Sequence, residues 1–341
     1  MDFKRIEQIE KRAEDRFYIC KLLLEKLEQR IDDGKIFHAY MERRKIDETA
    51  SMSEEGEVKL REYDWRMIGK LIWGSLRIDA SYNYDRAMLL HLSRIIAQIA
   101  CMYYRYGIFK NARAVIAGRS GIGKTTYALL SMYGCFRLCG LGQDDSWRLA
   151  TALWFMDAVE FAIFMKYVVD SGLYLPALLI DEAGLAISKY WIFGDRNLRR
   201  AFSGLLEIFD LIKDWIGVLL LTSTSQENVA KRLRDIYDYV IIGDEYSLPD
   251  DKAWFTVWVL KRKKLRFYEA MSYVDRSVIR RAKLEEMPIY IDVIPSTIKI
   301  PEECWMEHKR DRRERVRERL DTFLTLMLNL AMRESEVEEE E

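Results

Sequence analysis

The run Ala112–Thr126, ARAVIAGRSGIGKTT, constrains this chain more than any other stretch. It predicts a short apolar strand, a glycine-rich turn and the start of a helix, in that order. Within it Gly118, Gly123, Lys124 and Thr125 fill the pattern G-x-x-x-x-G-K-[ST]. Glycines let successive backbone N–H groups curl round a phosphate, and the helix start adds the positive end of its dipole. The candidate cradle is Gly118, Arg119, Ser120, Gly121, Ile122, Gly123, Lys124, Thr125 and Thr126. In this reading Lys124 reaches the β- and γ-phosphates, and the Thr125 hydroxyl ligates Mg2+.

From Ala112 onward strand and helix patterns alternate, which predicts an α/β fold with a parallel sheet covered by helices. Strands are expected at about 112–117, 149–155, 177–181, 217–222 and 238–242. Helices are expected at about 123–134, 157–170, 196–215 and 226–235, with Asp157 as an N-cap and Gly172 closing the same helix. The strand ALLIDEA, Ala177–Ala183, ends in Asp181-Glu182, about 57 residues after Lys124. There Asp181 would hold the water shell of a Mg2+ ion, and Glu182 would orient and polarise an attacking water. The next strand ends in Thr222-Ser223-Thr224-Ser225. Thr222 or Thr224 could hydrogen-bond that water or the γ-phosphate, or simply cap the following helix. That helix carries Lys231, Arg232 and Arg234. Arg232 or Arg234 is a candidate arginine finger for a neighbouring subunit, against the alternative of a surface arginine paired with Asp235 or Asp238.

GRSGIGKTT, LLIDEA, and LLLTSTS followed by VAKRLRD together resemble the AAA+ and related additional-strand ATPases. Within that group the chain is similar to bacterial helicase loaders and to small DNA-associated ATPases of archaeal viruses and plasmids. The resemblance covers about residues 105–243. It implies ATP and Mg2+ as cofactors, and ATP-dependent work on DNA or a DNA-bound partner by a ring or filament. Where the family carries a helical lid, this chain has a β-rich, basic segment instead.

Around that core, residues 1–60 read as a helical arm and 61–110 as a helical linker docked on the core. Residues 111–250 form the nucleotide-binding core and 251–333 a basic β-hairpin and helical region, with an acidic tail at 334–341. The arm carries an apolar stripe, Phe3, Ile6, Ile9, Ala13, Phe17, Cys20, Leu24, Leu27 and Ile31. Such a stripe suits either a partner-docking arm or a helix folded back on the core. After residue 250, Ala253–Ala270 predicts a hairpin with Lys261, Arg262, Lys263 and Lys264 at its tip, and Ile289–Ile300 a second β piece. Residues 261–320 hold 17 Lys and Arg against 11 Asp and Glu, so a cationic surface for DNA is local to this region. A tip of that kind is also what ordinary solvation of an exposed turn produces. The charged helix expected at about 305–333 interleaves acids and reads as a solvated face.

A net charge of −1 gives the chain as a whole no pull toward nucleic acid. Its five cysteines are odd in number and scattered, which suits a reducing, cytoplasmic setting. Cys135 and Cys139 lie too far from any histidine to suggest zinc, and read as buried thiols. The most apolar runs, Leu92–Phe109 and Leu153–Val169, are interrupted by charges, so no membrane span is expected. These features lead to an Mg2+-dependent ATPase that moves or remodels DNA as a homo-oligomer. A nucleotide-gated scaffold working through the N-terminal helices is the alternative, and a small-molecule kinase a more distant one.

Overall fold

The computed structural model describes residues 3–32, 36, 84–182, 211–224, 238–247, 253–261, 290–295 and 300–306, with scattered helical positions as far as 324. The chain divides into two compact units, Met1–Ile298 and Lys299–Glu341. In the first unit, helix α1 (Phe3–Glu28) is followed by a short 3-10 turn, Tyr84–Leu89, and helix α2 (His91–Tyr106). Then come β1 (Ala112–Ala117), α3 (Lys124–Leu138), α4 (Gln143–Ala152), β2 (Trp154–Phe155), α5 (Ala158–Ser171) and β3 (Leu175–Ile180). Strands β4 (Ile216–Ser223), β5 (Tyr239–Ser247), β6 (Ala253–Lys261) and β7 (Tyr290–Pro295) complete it.

The seven strands form one sheet in the order β2-β3-β4-β1-β5-β6-β7. The first five are parallel, and β6 and β7 are antiparallel additions at one edge. Every residue of β3 and β4 is buried, which requires cover on both faces and explains why their sequences lack the alternation of a half-solvated strand. The expected α/β parallel sheet flanked by helices is thus the fold of this chain. Helix α5 begins and ends where its sequence says. The Asp157 carboxylate accepts from the Val159 and Glu160 N–H groups, and Gly172 adopts the left-handed closing conformation.

Two expectations need correction. The strand expected at 149–155 is helix as far as Ala152, leaving only the two-residue β2. Asp144 and Asp145 in the first turn of α4 complement its dipole, and short apolar runs do not distinguish helix from strand. The hairpin expected at 253–270 is also different. Strand β6 pairs with β5 on one side and with β7 on the other, so both edges of Trp254–Val259 are taken. The hairpin of the structure is therefore β5–β6, and the expected return strand after Lys264 lies outside the described residues. Strands β6 and β7 extend the same sheet beyond residue 250.

Helix α1 is folded onto the core rather than projecting as an arm. Ile9, Ala13, Cys20, Leu24, Leu27 and Ile31 of its stripe are buried, and the helix packs on α4 and α5. The Arg16 guanidinium, itself largely covered, pairs with buried Glu160 at 2.7 Å and donates to the carbonyls of Thr151 and Trp154 at 2.8 and 3.0 Å. It also stacks over the Phe155 ring. At the opposite end of α1, Lys26 pairs with Asp145. The helices expected at 196–215 and 226–235 fall mainly on residues outside those described. In the second unit residues 302–306 are helical, so its charged helix starts slightly before 305, and Lys309 lies over the Trp305 ring.

Candidate nucleotide site

The loop 118–123 joins the end of β1 to the start of α3. Two of its glycines are required by geometry. Gly123, the residue before the first turn of α3, has φ 91°, which a side chain would strain. A Cβ on Gly118 would stand 3.0 Å from the carbonyl oxygen of Gly243 on β5 and 3.1 Å from Ile122, so the loop backbone needs a residue without one. Arg119, Ser120 and Gly121 are exposed at the turn, while Ile122, Gly123, Lys124, Thr125 and Thr126 are half-buried. A loop of this form lets main-chain N–H groups converge on one point in front of a helix start, as an anion cradle requires.

The Lys124 side chain folds back over this loop, donating to the carbonyls of Gly118 and Arg119 at 3.0 and 2.7 Å. Burial pushes its ammonium below the ordinary lysine value, and the charges of Asp181 and Glu182 partly offset that shift. A cation held under partial desolvation gains most from an incoming anion.

Strand β4 separates β1 from β3 and pairs in parallel with both. This places the end of β3, with Asp181 and Glu182, across from the start of α3. The Thr125 hydroxyl donates to both Asp181 oxygens, at 2.9 and 3.1 Å. Thr222, near the end of β4, donates its hydroxyl to Asp181 and accepts the Glu182 N–H at 2.8 Å. Asp181 and Thr222 are both buried. Glu182 has φ 50°, an unusual conformation for a residue with a side chain, and the Thr222 hydrogen bond holds it there. The donor set is hydroxyl and carboxylate oxygen, the hard ligands that Mg2+ selects. Among the described residues there is no cluster of three or more His, Cys, Asp or Glu. A Mg2+ ion shared with phosphates uses only one or two carboxylates.

The two candidate hydroxyls part company. Thr222 joins the acidic pair, whereas Thr224 is exposed just past the strand. Arg232, Arg234, Arg262, Lys263 and Lys264 lie outside the described residues. Lys261, the last residue of β6, stands opposite Tyr239, the first of β5. That register puts it at the end of the sheet away from the Gly118 loop. Cys135 and Cys139 are buried free thiols, and burial with a hydrogen bond to Cys139 holds Cys135 well above the ordinary thiol range.

One site residue was not expected. Asp292 of β7 is fully buried and accepts the Tyr127 hydroxyl at 2.7 Å, one turn into α3. It also takes the His91 N–H at the start of α2, at 2.9 and 3.0 Å from its two oxygens. The His91 ring is fixed in turn. Arg94, which has only donors, stands 2.6 Å from Nδ1, so Nδ1 is the accepting nitrogen. Alternation along YIDVIP offered a signal, because Asp292 falls on the same face of β7 as buried Ile294.

The chain is 22% identical over 215 residues to protein B-251 of Sulfolobus spindle-shape virus 1, a protein described as uncharacterised. The aligned part covers 62% of this chain and 78% of that protein. No family model matches the sequence. Among the described residues no helix is long and apolar enough to cross a membrane.

Proposed function

We propose that this chain is an Mg2+-dependent ATPase, with the loop 118–126 binding the triphosphate and Asp181-Glu182 serving hydrolysis. The carrying observation is that the Thr125 hydroxyl and the Asp181 carboxylate, 56 positions apart in sequence, meet at 2.9 Å beside Lys124. Lys124 neutralises the β- and γ-phosphates. Thr125 and Asp181 would hold a Mg2+ ion, which supplies charge neutralisation when bound. Glu182, with its backbone fixed by Thr222, orients water and accepts its proton.

The intervening β4 and the acidic pair favour water as the phosphoryl acceptor over a small-molecule hydroxyl. The resemblance to DNA-associated ATPases supports a coupled task on DNA. In this reading the chain works as a homo-oligomer in the cytoplasm, Arg232 or Arg234 completes a neighbour's site, and Lys261–Lys264 meet the DNA backbone. The scaffold reading draws on the N-terminal helix, where most of the apolar stripe of α1 is buried against α4 and α5 while Tyr18 and Leu22 stand exposed. Phosphate release from Mg·ATP, with and without DNA, tests the proposal. Wild type should turn over and accelerate with DNA, and Lys124→Ala should not. Equal rates in wild type and Lys124→Ala would remove the site assignment, and a rate indifferent to DNA would favour a protein partner.

A further inference from the structure

The antiparallel extension and the strand it pairs with, β5, touch the phosphate loop and the helix that follows it at two separate points, and one row of residues links them. Gly243 on β5 is in register with Val257 on β6, and Val257 with Asp292 on β7. At one end of this row the Gly243 carbonyl lies against Gly118, the first glycine of the loop. At the other end Asp292 accepts the Tyr127 hydroxyl in the first turns of α3 and the main-chain N–H of His91. The loop is therefore gripped before its turn and again just beyond Lys124 and Thr125.

Parallel core strands alone do not need β6 or β7, and a buried aspartate is costly unless it is fully hydrogen-bonded. Here the contacts to His91 and Tyr127 both go to helix starts: the two carboxylate oxygens share the N–H of the first residue of α2, and one accepts the hydroxyl from the first turn of α3. We propose that Asp292 is a positioning residue for the phosphate loop. Through Tyr127 it fixes the first turn of α3 and so sets how tightly the loop holds a nucleoside triphosphate. This rests on the nucleotide reading of the loop. It assigns the β6–β7 extension a role in that site which the resemblance to additional-strand ATPases does not contain.

The variant that isolates the contact is Tyr127→Phe, which deletes one hydroxyl and keeps the ring that fills its buried place. Asp292→Asn is its partner variant, and Leu27→Ala in α1 is a control that destabilises the chain far from the loop. Two readouts are taken on the full chain: affinity for Mg with a fluorescent ATP analogue, and amide hydrogen exchange at 124–130 without nucleotide. The expected result is an affinity loss of about tenfold in Tyr127→Phe, from a buried hydrogen bond to a carboxylate. Faster exchange at 124–130 should accompany it. Asp292→Asn with Tyr127→Phe should lose less than the sum of the two single losses, because the two residues share a contact. Leu27→Ala should lower Tm and leave affinity unchanged. Unchanged affinity and exchange in Tyr127→Phe, or an equal affinity loss in Leu27→Ala, overturns the proposal. If wild type fails to bind the analogue, the nucleotide reading falls, and exchange at 124–130 alone then decides whether the tether exists.

Discussion

Each edge of the sheet is anchored through a charged side chain that is largely or wholly covered, and the two anchors work differently. At the β2 edge, Arg16 from α1 pairs with Glu160 and takes the carbonyls of Thr151 and Trp154. At the β7 edge, Asp292 takes N–H and O–H donors from α2 and α3. Both bury charge, so both are costly to break. They differ in how they reach the candidate site. The Arg16 edge meets it through main chain, the Asp181 N–H donating to the Phe155 carbonyl at 2.8 Å. That bond survives any change of side chain. The Asp292 edge meets it through side chains, on the helix that carries Lys124 and Thr125. Apolar and ionic docking at one edge thus secures the fold, while a directional polar contact at the other positions the loop.

The largest stability effect should come from the first anchor. Arg16→Ala leaves Glu160 buried without its partner and should cost about 3–5 kcal/mol in denaturant unfolding. Turnover per folded molecule should stay at the wild-type level, and a catalytic defect there would collapse the distinction between the edges. Leu27→Ala, at a fully buried position of the α1 stripe, should cost about 2–4 kcal/mol, again with unchanged affinity for nucleotide. Thr222→Val tests a polar contact inside the site. It strands the Glu182 N–H and removes a donor from Asp181, for about 1–3 kcal/mol of stability and a clear fall in turnover. Its exposed neighbour sharpens the contrast, since Thr224→Ala should change stability by less than about 0.5 kcal/mol.

The dependence on pH follows from Lys124, whose folded value lies below the ordinary 10.5. Between that lowered value and 10.5 the unfolded chain binds more protons at this residue, so its contribution to stability rises with pH across the window. Affinity for triphosphate runs the other way. It should weaken as pH climbs through the lowered value, because the uncharged amine no longer attracts phosphate. Lys124→Arg should flatten that alkaline limb of a binding titration.

Much of this was legible in the chain itself where local chemistry decides the structure. The glycines at 118 and 123, the Asp157 cap and the Gly172 stop each name their own conformation, and ALLIDEA marks both a buried strand and its polar end. Partner choice was not legible in the same way. Alternation in AWFTVWVLK shows that 253–261 is a strand but not which strands flank it, and its partners are β5 before it and the distant β7 after it. The segment at 149–152 was short and apolar, and tertiary packing on α1 and α3 made it helix. Asp292 was hidden because its donors stand 165 and 201 positions away. Only the fold brings Tyr127 and His91 to it.

The proposal joins Lys124, Thr125, Asp181 and Glu182 in one hydrolytic site. It is tested most directly by measuring phosphate release and Mg·ATP binding together in wild type and Glu182→Gln. Glu182→Gln should bind Mg·ATP with near wild-type affinity and release phosphate at least about 100-fold more slowly. Release at the wild-type rate from Glu182→Gln, or no binding by either protein, would contradict it.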